Sequence, residues 1–159
     1  MPGMDYGRSK AYLATGSVAY KRGYVVKATT GTTLVPAQCG ILVATTDAAV
    51  PPLGVCMEDL DAAKVTTGKA FINIALEGNV KVIWDGSGTT PSPGLYVGLS
   101  GGSAGVKDGQ VTVVAATPGA ATFVIGRVLS IIGNSIGQAA TAGDYMDIQL
   151  LPGERMFVS

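Results

Sequence analysis

Histidine is absent from this chain of 159 residues. That removes His-dependent nucleophilic triads and the commonest metal ligand together. Cysteine is almost as scarce, with Cys39 and Cys56 the only two. Without further thiols or any imidazole they do not make a zinc site. A chain of this length needs no disulfide staple, so two buried free thiols are the expected state, with one disulfide left open. Charge is sparse at 14% and balanced, eleven basic residues against eleven acidic. Neither a basic footprint for nucleic acid nor an acidic tail is present. No apolar run approaches the length that spans a bilayer. Residues 1–14 lack the apolar segment of a signal peptide, so synthesis in a cytoplasm and a soluble product are expected.

The motifs that carry chemistry are missing as well. Gly68-Lys69 invites a phosphate-loop reading, but Ala63 stands where the upstream glycine is required and Ala70 follows the lysine. Glu58-Asp59-Leu60-Asp61 is the one acidic cluster, and its spacing fits no calcium loop. Asp85, Asp108 and Asp144 each adjoin a glycine, which marks turns rather than general acids. Aromatic residues amount to 6% and do not interleave with Arg or Lys as a base-stacking platform. No catalytic, cofactor-binding or metal-binding residue is assigned, and the chain is not expected to be an enzyme.

What is present is β-forming. Val, Ile, Thr and Tyr are plentiful, and 23 glycines and eight prolines punctuate short apolar runs. Residues 71–84, FINIALEGNVKVIW, organise the rest. Alternate residues Ile72, Ile74, Leu76, Gly78, Val80, Val82 and Trp84 form an apolar row. Asn73, Glu77, Asn79 and Lys81 form a polar one, with Phe71, Ala75 and Ile83 mixed in. Period-two alternation of this kind is a strand with one face on a core. Gly78 is where the run bends, bulges or turns back. Further strands are expected at 17–20, 24–28, 40–44, 53–58, 95–98, 110–115, 123–131 and 145–151, joined by Gly-, Thr- and Ser-rich loops. The expected fold is all-β, a compact small barrel or sandwich over residues 16–159, with residues 1–15 as an extended N-terminal arm.

Two further patterns bear on organisation. Leu53-Gly54-Val55 followed by Gly68 and FINIAL echoes Ile125-Gly126-Arg127-Val128 followed by Gly143 and YMDIQL. Two such copies suit a small barrel with pseudo-symmetric halves. Charge is also segregated: Arg8, Lys10, Lys21, Arg22 and Lys27 precede Asp47, Glu58, Asp59 and Asp61. The two segments are able to complement each other within or between subunits. A mean hydropathy of +0.38 with so few charges implies apolar surface beyond the chain's own core, hence an oligomer or a place on a larger assembly.

The succession GSVAYKRGYVVKAT, PLGV, GKAFINIALEGNVKV, PGLYV, FVIGRVL and GDYMDIQLLPG resembles the capsid decoration, or cement, proteins of tailed bacteriophages. The resemblance runs from Gly16 to Gly153, with Pro52-Leu53-Gly54-Val55 and Ile125-Gly126-Arg127-Val128 its most family-like pieces. It implies a non-catalytic β fold, clustered as a homotrimer on the outer surface of an expanded head. There it bridges major capsid subunits and touches neither nucleic acid nor membrane. By the same resemblance residues 1–15 reach onto the shell, Tyr6 and Tyr12 being apolar anchors and Arg8 and Lys10 charge contacts. Removing them is expected to weaken shell binding while the β core stays folded. Other phage structural subunits (a head fibre base, a tail tube or a minor coat protein) are the alternative, and a ligand-binding β module is the third reading.

Overall fold

The computed structural model describes residues 8–29, 37–43, 46–47, 50–100, 107–114, 123–132 and 141–151. In chain order the elements are β1 (Ser9–Ala14), β2 (Val25–Thr29), β3 (Gln38–Ile41), β4 (Gly54–Cys56), α1 (Ala62–Thr66) and β5 (Phe71–Ala75). They continue with β6 (Gly78–Ile83), β7 (Tyr96–Leu99), β8 (Val111–Val113), β9 (Val124–Ile132) and β10 (Tyr145–Leu150). Among the described residues the fold is all-β apart from one short helix.

The first five strands close into a barrel in the order β1-β3-β2-β4-β5, and the last five form a sheet in the order β6-β10-β9-β7-β8. These are the same connectivity twice, with β6 to β10 standing for β1 to β5. Registers agree: Leu13↔Phe71 corresponds to Ile83↔Tyr145, Val26↔Ile41 to Val97↔Val113, and Cys56↔Ile74 to Val128↔Ile148. Hydrogen bonds outside the ladders agree too. Gly23 N donates to Cys56 O as Gly94 N does to Val128 O, both at 2.9 Å. Thr15 N donates to Cys39 O as Asp85 N does to Val111 O, both at 3.0 Å.

The units differ at one seam. In the first, β1 and β3 pair in parallel at Leu13↔Gln38 and Ala14↔Cys39; in the second, a lone parallel bridge, Trp84↔Val111, joins the outer strands. Gly109, just before β8, is engaged elsewhere: it accepts from Val25 N and donates to Leu42 O, each at 2.8 Å, across to the first unit. The sequence echo is therefore larger than expected. Each copy builds a five-stranded unit of its own rather than half of one barrel.

Residues 71–84 carry the chain from one unit to the other. The stretch is neither a hairpin nor an unbroken strand, because β5 pairs with β1 and β4 whereas β6 pairs with β10. The break falls at Leu76–Glu77, and Gly78 takes a positive φ of 93° that other residues resist. The apolar row is inward as expected, with Ile72, Ile74, Leu76, Val82 and Trp84 buried. Each large side chain so buried contributes about 1.5–3 kcal/mol before chain entropy is set against it.

Equivalent positions fill the two interiors. Tyr12, Ala14, Val26, Cys39, Cys56, Ile72 and Ile74 pack in the first. Val82, Trp84, Val97, Val111, Val128, Met146 and Ile148 take the matching places in the second. Val25, Leu42 and Val55, from strands or strand ends of the first unit, join the second core and tie the units together.

Three expectations need correction. Residues 1–15 are not all arm, because β1 lies inside the barrel. Its alternation of Tyr12 and Ala14 inward with Ala11 and Leu13 outward is too brief to stand out beside a polar terminus. Residues 17–20 form no strand, contributing only the bridge Tyr20↔Leu60. The connection before β5 holds α1, whose Asp61 N-cap is extended (φ −65°, ψ 145°) and whose one buried residue is Val65. Five residues show too little helical period to be read from sequence.

Candidate functional site

Several of the described groups that could support chemistry are buried or hydrogen-bonded within the fold. Cys39 and Cys56 are buried free thiols. Burial pushes the Cys39 thiol up to about 11 and raises Cys56 further. Tyr20, also raised mainly by burial, donates its hydroxyl to Thr15 O at 2.6 Å and Cys39 O at 3.1 Å. Asp85 is buried and accepts from Ser87 N at 2.8 Å, from Ser87 Oγ at 2.7 Å and from Ser100 Oγ, while Lys107 Nζ reaches its carbonyl. This carboxylate holds the turn after β6 as a network of satisfied acceptors.

The acidic cluster is used in the same way. Asp59 Oδ1 accepts from Arg22 N at 2.7 Å, and Glu58 Oε1 accepts from Asn73 N at 2.9 Å. Lys27 and Asp47 form a largely buried ion pair at 2.5 Å, so the segregated charges meet within one chain. Among the described residues no group of three or more His, Cys, Asp or Glu is placed to hold a metal. Among them, too, no helix is long and apolar enough to cross a membrane.

Of the residues assigned to shell contact, Tyr6 lies outside the described residues. Arg8 is exposed and approaches Glu77 at 3.9 Å, a distance at which a solvated pair contributes little. Lys10 is exposed, with its ammonium 5.6 Å above the Tyr12 ring. Tyr12 itself is only 8% exposed and belongs to the barrel core, so it cannot serve as an anchor for a partner. On β1 the outward apolar residues are Ala11 and Leu13.

The informative surface lies around the junction between the units. A Cβ on Gly23 would stand 3.2 Å from Lys81 O and 3.3 Å from both Ile83 and Tyr145. One on Gly109 would press into Tyr24. The β2/β4 side of the first unit therefore abuts the second at Lys81, Ile83 and Tyr145 on β6 and β10 and at Gly109 ahead of β8, with Val25 and Val55 reaching the second core. Ile83 is buried by this contact, and Tyr145 keeps 37% of its surface. Phe71, the counterpart of Tyr145, keeps 51%, and Leu13, the counterpart of Ile83, is only half-buried.

No family model matches the chain, and no curated protein matches it by sequence. A solved structure does. The fold is similar to that of the N base of head fibre gp8.5 from bacteriophage phi29, with a TM-score of 0.52 and 15% identity. The match covers 91% of this chain and 93% of that one, so both units take part. At this identity the likeness is one of fold.

Sequence reasoning placed the contact residues in the N-terminal segment and passed over Phe71. The signal was nevertheless visible, since Phe71 sits in the polar row of the central alternation. A large aromatic out of phase at a strand end marks a surface to be covered.

Proposed function

We propose that this protein is a structural component of a tailed-phage particle. It binds the outside of the expanded head as a homotrimer, bridges major capsid subunits and strengthens the shell, without catalysing a reaction. The observation that carries this reading is the end-to-end likeness of its doubled β fold to a head fibre base. The ordered resemblance of its short motifs to decoration proteins supports it. So does a surface that leaves Phe71, Leu129, Tyr145 and Val18 substantially exposed. Arg8 and Lys10, exposed at the start of β1, are the proposed polar contacts with the shell.

A head-fibre base is the second reading, favoured because the structural neighbour is itself the N base of a head fibre. One experiment separates them. Purified protein is incubated with expanded, undecorated heads, pelleted, and the coated heads are heated. A decoration protein binds at saturating stoichiometry and raises the temperature at which DNA escapes. A fibre base binds at few sites and leaves that temperature unchanged. Failure to pellet with heads overturns both.

A further inference from the structure

The two cores are not equally self-sufficient. Among the described residues, the first core draws only on residues 12–76. Its seam is closed by the β1–β3 ladder, with Leu13 N donating to Ala37 O at 2.9 Å and Thr15 N to Cys39 O at 3.0 Å. The Tyr20 and Thr15 hydroxyls lock that seam further, both donating to Cys39 O, at 3.1 and 2.8 Å. The second core borrows Val25, Leu42 and Val55 from the first unit. Its seam carries the lone bridge Trp84↔Val111 and side-chain bonds from Ser100, Lys107 and Thr112 to residues 85–87. Gly109 stands where Ala37 stands, but it accepts from Val25 N and donates to Leu42 O, each at 2.8 Å. The first unit therefore supplies part of the second unit's interior, and Val25 makes the bond to Gly109 that Leu13 makes to Ala37.

We propose that this seam is a conformational device. The second unit stays closed only while the first is folded against it, and it opens under conditions in which the first barrel remains shut. The dependence runs one way. Opening the second unit uncovers Val25, Leu42 and Val55 but breaks no pair in the closed order β1-β3-β2-β4-β5. Unfolding the first unit withdraws those three side chains from the second interior together. It leaves a cavity there, and it strips Gly109 N–H and C=O of their partners. Proteins open locally, below the threshold of global unfolding, where such contacts are fewest. In the opened form the start of β8 becomes an unpaired strand edge, while the first unit keeps its ladder.

The chain carries a reporter in each unit. Its single tryptophan, Trp84, lies in the second core, and its only thiols, Cys39 and Cys56, lie in the first. The full chain is titrated with urea, following Trp84 fluorescence and, at each concentration, thiol labelling by a brief pulse of N-ethylmaleimide. Wild type is expected to lose the native Trp84 signal at a lower midpoint than the one at which the thiols react. Met146→Ala, in the second core, is expected to lower the Trp84 midpoint and leave the thiol midpoint in place. Ile72→Ala, in the first core, is expected to lower the thiol midpoint, with the Trp84 midpoint never above it. Coincident midpoints in wild type overturn the inference, as does a Trp84 signal that stays native where both thiols have reacted. A Met146→Ala protein in which both midpoints move together overturns it too.

Discussion

Gly54 and Gly126 hold the same position in the two units. Each lies so close to the adjoining strand that an added Cβ would enter the backbone: on the Ala75 carbonyl at Gly54, and 2.5 Å from the Gln149 carbonyl at Gly126. The nearest side chains, Ile74 and Ile148, are equivalent as well. Close strand approach, and not a left-handed backbone, is what these glycines permit.

Gly54→Ala and Gly126→Ala are each expected to destabilise the protein by about 1–3 kcal/mol, the range for forcing extra atoms into a packed interior. Urea midpoints measure it. The two sites share no partner, so the double variant is expected to lose the sum to within ~0.5 kcal/mol.

Alkaline pH is expected to destabilise the fold. Burial raises Cys39 from 9.0 to about 11 and moves Cys56 and Tyr20 in the same direction. Above pH 9 the unfolded chain therefore releases protons that the folded chain retains. Stability present below that pH falls as pH rises through the folded values. For Cys39 alone the loss is on the order of 2 kcal/mol. Thermal melts between pH 8 and pH 11 follow it, and folded protein at pH 8 is expected to resist thiol alkylation until denatured.

Lys27→Met leaves Asp47 largely buried without its cation, although Val43 N still donates to it at 2.7 Å. A loss of about 1–3 kcal/mol is expected, below the range for fully buried pairs because Lys27 keeps some contact with water. Adding Asp47→Asn is expected to recover part of it. Chemical denaturation of the single and double variants gives the comparison.

Truncation separates the terminus from the barrel. Deleting residues 1–15 removes β1, which pairs with β3 and β5. The expected result is a protein with lost cooperative unfolding and exposed core. Deleting residues 1–7 spares that strand and is expected to leave the melt unchanged. In the untruncated chain, Arg8→Ser with Lys10→Ser is expected to weaken head binding several-fold at low salt and less at high salt, measured by co-pelleting.

How much of this was legible follows from where the information sits. The central alternation, the turn glycines and the echo around Gly54 and Gly126 are local patterns, and they carried the fold class. β1 was hidden because only Tyr12 and Ala14 betray its inward face, and its pairing with β5 joins segments far apart in sequence. The doubling was legible only as an echo, because Ala14 against Trp84 or Cys39 against Val111 conserve place and not chemistry. The surface was least legible of all. Whether Phe71 is core or contact depends on which strand lies over it, and no single strand encodes its neighbour.

The crossing at Leu76–Glu77 has a consequence for how the two units hold together. Only two residues separate β5 from β6, so each unit is kept permanently at high local concentration beside the other. The packing of Val25, Leu42 and Val55 into the second core is therefore intramolecular and does not weaken on dilution.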